Sequence, residues 1–230
     1  MSSVPVGPLP PQNAAIRLFG GRVVAPRLLP LAKRAMDIAI AGLALLAALP
    51  FFLVVGALVR ADGGPAFYAH PRVGRGGRVF GCLKFRSMVT DSQARLEALL
   101  AADPAARAEW EQTRKLKNDP RITRIGRFLR ATSLDELPQL INVLKGEMAI
   151  VGPRPVTQSE LDSYYGAAAA HYLTVRPGIT GLWQVSGRSE TSYDQRVALD
   201  VAYVSQPSLL ADIRILLKTP VAVLSRRGAH

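Results

Sequence analysis

The sequence predicts a mainly helical α+β fold attached to one face of a membrane. Three observations carry this: one long apolar stretch near the N-terminus, two β-type arms around a glycine loop just after it, and a series of helical patterns from there onward. The division that follows is a flexible basic Pro-rich tail (1–30), a membrane helix (31–60) and a cytosolic domain (61–230).

The tail holds six prolines and little periodic pattern, which suits an extended chain. Ala35–Val59 is 25 residues long and carries one charge, Asp37, and one proline, Pro50. As a straight helix it would reach about 38 Å, beyond the roughly 30 Å of bilayer hydrocarbon. Both flanks are basic: Arg17, Arg22, Arg27, Lys33 and Arg34 precede it, and Arg60, Arg72, Arg75 and Arg78 follow. Basic flanks stay on the cytoplasmic side, and Pro50 removes a helix donor and bends the axis. A re-entrant helix that turns at Leu49-Pro50 and returns to the same face satisfies both; the plain alternative is a spanning helix with a kink. The long segment ahead of the apolar stretch, the length of that stretch and the lack of a small-residue cleavage site after it argue against a cleaved signal peptide.

Ala66–Val73 and Arg78–Arg86 flank Gly74-Arg75-Gly76-Gly77 and read as a β-hairpin. Alternation sets Leu83 and Phe85 on one face and Lys84 and Arg86 on the other. Residues 91–117 are rich in helix formers, with a break at Pro104 and Asp103 as N-cap of the second part. Asp119-Pro120 repeats that start signal, predicting a helix from Arg121 to about Ala131. Its stripe is Ile122, Ile125 and Leu129, flanked by Arg121, Arg124, Arg127 and Arg130. A short basic amphipathic helix of this kind suits an anionic lipid surface; a core helix with solvated arginines fits equally. Leu137–Leu144, Glu160 to about Thr174, Asp194 to about Val204 and Leu209–Leu224 complete the helices. Glycine- and proline-rich loops separate several of them.

The charge balance is one-sided, with 29 Lys+Arg against 17 Asp+Glu and a net +12. That favours an anionic partner. Beside a membrane segment, lipid headgroups and phosphates come first. Nucleic acid is excluded because aromatics do not interleave with the basic residues as a stacking platform requires. The single cysteine, Cys82, permits no internal disulfide and reads as a small buried residue. No phosphate-loop, dinucleotide or zinc pattern occurs.

Chemistry centres on Ser133-Leu134-Asp135-Glu136-Leu137-Pro138-Gln139. A capping box of Ser133 with Glu136 is one reading, but it would put Pro138 where a helix donor is needed. With Asp135 as N-cap, Pro138 falls in the first turn, and the helix end would hold the Asp135 carboxylate ionised. Such a carboxylate can act as nucleophile or hold a divalent cation. Asp135 and Glu136 can share a site only where the chain departs from α-helix. Lys84, Arg86, Arg130, Arg154 and Arg176 are phosphate-type donors around them. Together they suggest a pyrophosphate and metal site. A non-enzymatic lipid adaptor explains the charge and the anchor but not the acidic pair.

Lys84-Phe85-Arg86-Ser87-Met88, Ser133–Leu140, Gly152-Pro153-Arg154-Pro155 and Arg176–Gln184 stand in an order and spacing that resemble the bacterial sugar transferases, the monotopic phosphoglycosyl transferases acting on polyprenol phosphate. The chain looks closest to small members that begin exopolysaccharide synthesis, and the resemblance covers about residues 31–220. It implies a UDP-sugar donor of galactose- or glucose-1-phosphate and undecaprenyl phosphate as acceptor. It also implies a covalent phosphosugar on Asp135, with Mg²⁺ held through Asp135 or Glu136. By the same resemblance Lys84, Arg130 and Arg154 would hold phosphates, and Arg86, on the strand face of Lys84, is expected to join them. Arg176, Gln184 and Arg188 would meet nucleotide or sugar. The family's re-entrant helix matches Ala35–Val59, at the cytoplasmic face of the inner membrane; a homo-oligomer is compatible. Leu49-Pro50 departs from the serine-proline pair of many members, whose hydroxyl satisfies freed carbonyls.

Overall fold

The computed structural model describes residues 29–113, 116–187 and 191–224. The expected tail therefore lies almost wholly outside the described residues. The fold is mainly helical with two small sheets.

Helix α1 runs unbroken in its backbone pattern from Leu29 to Arg60, with Pro50 inside it. It is long and apolar enough to cross a membrane, and only a small share of it is buried in the protein. Leu43, Leu46, Leu49, Leu53 and Val54 are exposed. One narrow face is covered. Before Pro50, Ala41 is fully buried against Leu140, Val143, Met148, Ile150 and Ile215. After Pro50, Val55 and Val59 pack with Phe85 and Leu129, and Phe51 and Phe52 close over them.

The predicted hairpin is present. Strand β1 (Phe67–Val73) pairs antiparallel with β2 (Val79–Phe85), placing Tyr68 opposite Lys84, His70 opposite Cys82 and Arg72 opposite Phe80. Alternation works on both faces of β2: Phe80 and Cys82 enter the first core, while Phe85 enters the core beneath α1. The hairpin thereby ties α1 to the helices that follow it.

Helices α2 (Ser92–Ala102) and α3 (Pro104–Thr113) divide at Pro104 as expected. The Asp103 carboxylate accepts from the Ala105 and Ala106 amides at 2.8 and 3.1 Å. Helix α4 is Arg124–Thr132 and starts three residues later than its proline signal. Asp119 spends its carboxylate on Arg121, accepting from the backbone amide and both sides of the guanidinium. Ile122 instead bridges to Met88, and Thr123 is the N-cap, accepting from the Gly126 amide at 2.9 Å. Gly126 must be glycine because a Cβ there would lie 2.0 Å from the Ser87 carbonyl oxygen.

Helix α5 is Gln139–Lys145 and ends at Gly146 in the left-handed conformation. Arg34 of α1 donates to the Val143 and Leu144 carbonyls at 2.7 and 3.0 Å, satisfying acceptors that the helix end leaves open. The glycine-rich loops around 152 and 178 conceal a parallel pair, β3 (Ala149–Val151) with β4 (Gly178–Thr180). Their approach is so close that a Cβ on Gly178 would sit 2.1 Å from the Gly152 nitrogen. Residues 158–172 are helical but broken into short α, π and 3-10 turns around Gly166. Helices α6 (Tyr193–Ser205) and α7 (Leu209–Leu224) close the fold.

Candidate active site

Ser133 ends α4 in the left-handed region at φ 58°. Leu134–Glu136 then form a 3-10 turn before Pro138 opens α5. Neither expected cap exists: Ser133 makes no side-chain cap bond, and Asp135 lies inside the turn rather than at a helix start. The physical reason is the tight reversal at Ser133, which uses up the residues that a longer α5 would have needed. The consequence is favourable for a site. Three residues per turn is not α-helical spacing, and both carboxylates reach one cation. Lys84 Nζ donates to Glu136 Oε1 at 2.6 Å and lies 3.7 Å from Asp135 Oδ2.

Electrostatics separates the two acids. Burial pushes the Asp135 carboxyl above its usual range, against the pull of Lys84. Burial also opposes ionisation of Glu136, but Lys84 and Arg154 outweigh it and hold that carboxyl low. The expectation of an Asp135 carboxylate stabilised by a helix end is thus replaced by a buried, less readily ionised group. Burial raises the Cys82 thiol to about 11, so it stays protonated and is no nucleophile.

Beside this pair lies a small open cleft lined by Arg72, Cys82, Lys84, Glu136, Gln139, Arg154, Pro155, Ile179 and Gln184; Asp135 adjoins it through Lys84. Of the sequence-predicted residues, the structure brings together Asp135, Glu136, Lys84, Arg154 and Gln184. Arg130 is held beside them, its Nε donating to Ser87 Oγ at 2.8 Å.

Arg86 is placed elsewhere. Its five N–H groups are directed at the Asp62 carboxylate and the carbonyls of Val59, Pro65 and Met88. That is the whole donor inventory of a guanidinium, leaving nothing for a phosphate; the side chain ties the end of α1 to the hairpin. Its grip draws the Asp62 carboxyl down to about 2. Arg176 also stays out of the cleft lining and donates to the Gly146 carbonyl at 2.7 Å. Arg188 lies outside the described residues. Among these residues no group of three or more His, Cys, Asp or Glu side chains gathers.

Five lining residues were not predicted as site residues: Arg72, Cys82, Gln139, Pro155 and Ile179. Arg72 is fixed by Glu160 at 2.8 Å, and Glu160 is held by Thr157 and by the Tyr193 hydroxyl at 2.7 Å. The readable part was the Thr157–Glu160 capping box. Nothing local indicated that Glu160 would meet the hairpin.

The fold and the cleft define a class: an α+β domain bearing a long apolar helix, with an acidic pair and several cations gathered at one cleft. The chain belongs to the bacterial sugar transferase family, whose model matches residues 29–226. It is 56% identical over 198 residues to the undecaprenyl-phosphate galactose phosphotransferase of Salmonella typhimurium, covering 86% of this chain and 41% of that protein. It is 50% identical over 223 residues to the exopolysaccharide production protein ExoY of Sinorhizobium fredii, covering 96% and 94%. A UDP-glucose:undecaprenyl-phosphate glucose-1-phosphate transferase of Xanthomonas campestris is 39% identical over 224 residues, covering 94% and 43%. The chain thus spans about two-fifths of the longer relatives and nearly all of the shorter one.

Proposed function

We propose that this protein transfers a hexose-1-phosphate, galactose or glucose, from a UDP-sugar to undecaprenyl phosphate at the cytoplasmic face of the inner membrane, releasing UMP. This would be the first membrane step of exopolysaccharide synthesis. The observation that carries the reading is the convergence of Asp135 and Glu136 on Lys84 in a cleft that also holds Arg72 and Arg154.

Asp135 is the nucleophile. One carboxylate oxygen forms a bond to the sugar-linked phosphorus as the bond from that phosphorus to the bridging oxygen breaks, and UMP leaves with the electron pair. An oxygen of the lipid phosphate then attacks the same phosphorus and frees Asp135. Lys84 and Arg154 hold negative charge that grows during each attack. Burial raises the intrinsic reactivity of Asp135 once ionised, and the cations around it favour that form. Holding the phosphosugar covalently lets one cleft serve a soluble donor and a lipid acceptor in turn.

The donor set fits magnesium. A magnesium ion needs only one or two carboxylates when phosphates complete its shell, and Asp135 and Glu136 already share a cation. Bound there, it would neutralise diphosphate charge.

The membrane helix is read as re-entrant. Both halves of α1 pack on the same domain, through Ala41 before Pro50 and Val55 and Val59 after it. Leu49, Leu53 and Val54 near Pro50 are exposed and available to lipid. A straight span would carry one of these contacts away from the domain.

The test is incubation of membrane-bound protein with labelled UDP-sugar and Mg²⁺. The expected results are UMP release, a labelled polypeptide without acceptor, and a labelled lipid once undecaprenyl phosphate is added. Asp135→Asn should lose all three while still binding membrane; turnover by that variant would remove Asp135 as nucleophile.

A further inference from the structure

We propose that the Tyr68–His70 edge of the hairpin is the hexose subsite of the donor, with His70 hydrogen-bonding a sugar hydroxyl and Tyr68 lying against the ring. This deepens the transfer reading above and rests on a UDP-sugar being the ligand.

The placement follows from register. Directly opposed residues of an antiparallel pair share a face. Tyr68, His70 and Arg72 therefore stand on the same face as their partners Lys84, Cys82 and Phe80. Three of these six, Arg72, Cys82 and Lys84, line the cleft. Along β1, Arg72 lines the cleft and stands opposite Phe80. Tyr68 stands about 13 Å further along at a strand's rise per residue, directly across from Lys84. His70 stands between them, opposite Cys82, so a donor whose sugar-linked phosphate sits between Lys84 and Asp135, with its nucleotide turned toward Arg154 and Gln184, has Tyr68 and His70 beside its hexose.

The side chains there suit a sugar. His70 Nδ1 is buried and has no hydrogen-bond partner, and a buried polar atom left unpaired is unusual enough to need a reason. Burial, with Arg72 and Lys84 nearby, holds the imidazole pKa below its ordinary value, so it is neutral and offers both a donor and an acceptor. Tyr68 is 52% exposed, and its ring centroid lies 6.0 Å from that of His70 at a 49° tilt. An open aromatic face beside an unsatisfied ring nitrogen offers packing for pyranose C–H groups and a hydrogen bond for a hydroxyl.

The experiment uses the full chain in nanodiscs, without acceptor, and titrates UDP-galactose, UDP-glucose and UMP by calorimetry. His70→Ala and Tyr68→Ala should each weaken the preferred UDP-sugar about tenfold, the loss of one hydrogen bond or ring contact, and leave UMP within twofold. His70→Gln should retain part of the affinity. With acceptor present, the kcat/KM ratio between the two sugars should move by a similar factor in His70→Ala. Should His70→Ala misfold, His70→Gln and the exposed Tyr68→Ala give the same decision. Equal weakening of UMP would assign this edge to the nucleotide, and a change confined to the KM of undecaprenyl phosphate would assign it to the acceptor; either overturns the proposal. Unchanged sugar affinity and ratio in all variants overturns it too. Wild-type protein that binds UDP-sugar in this way but transfers nothing would sink the transfer reading and leave the subsite standing.

Discussion

Lys84 is the residue on which the cleft is built, because it touches both acids and is delivered by a strand rather than a loop. Its replacement by Ala should lower kcat by about 10²–10³, as loss of one charge-stabilising donor does, and raise the Asp135 pKa further. The acids themselves predict a pH signature. Only ionised Asp135 can attack, and burial raises its pKa, so the acid limb of the rate profile should lie above the ordinary Asp value of about 3.9. The same shift bears on stability. A carboxyl whose folded pKa is raised favours folding fully below its unfolded pKa, and that contribution is lost as pH rises through the folded value. At neutral pH ionised Asp135 therefore weakens the fold, and Asp135→Asn should melt higher than wild type while losing transfer. Both acids were legible in the sequence, as was Lys84, because each stands in a dense polar motif. Arg86 was legible as important but not in its role, since nothing local shows a guanidinium fully occupied by Asp62 and three carbonyls.

Elements whose signals are short-range were readable, and those that depend on distant partners were not. The hairpin rests on period-two alternation and a glycine turn, and the α2–α3 division on Asp103-Pro104; both stand where expected. The β3–β4 pair has three residues per strand joined across the whole 152–177 segment, too short for periodicity to register. The start of α4 was misplaced because Asp119 found Arg121 as partner, leaving the cap to Thr123. Thr123→Ala should accordingly cost about 0.5–2 kcal/mol, measurable by denaturant unfolding in detergent. Helix α6 carries a second titration. Asp200 is buried, its Oδ2 accepts from the Tyr165 hydroxyl at 2.8 Å, and its Oδ1 has no partner. Burial, eased only in part by that bond, lifts its carboxyl to about 7. Its stabilising contribution is complete below about pH 4 and fades as pH rises through 7, so stability should fall by about 1.4 kcal/mol between pH 6 and 8 from this group. Thermal melts should show that pH dependence, and Asp200→Asn should remove it.

At the scale of the whole molecule, exposed apolar side chains extend beyond α1. Leu210, Ile213, Leu217 and Val221 of α7 are exposed at helical spacing, and Phe128 of α4 is exposed too. Topology can be read with single cysteines because native Cys82 is only 2% exposed. Ser2→Cys and Arg75→Cys, in a Cys82→Ala background, should label from the same side of sealed vesicles; opposite-side labelling would rule out re-entry. The last consequence concerns α1 itself. Asp37 accepts from the Ile150 amide at 3.0 Å inside the core, and Lys33 reaches Asp212 at 2.7 Å, which also accepts from Tyr203. Cutting the chain after Arg60 to obtain a water-soluble enzyme would strip an amide of its acceptor, leave Asp212 without its countercharge, and open Val143, Met148 and Phe85 to solvent. The shortened protein should aggregate, because the apolar helix is masonry within the building and not a tether that can be cut away.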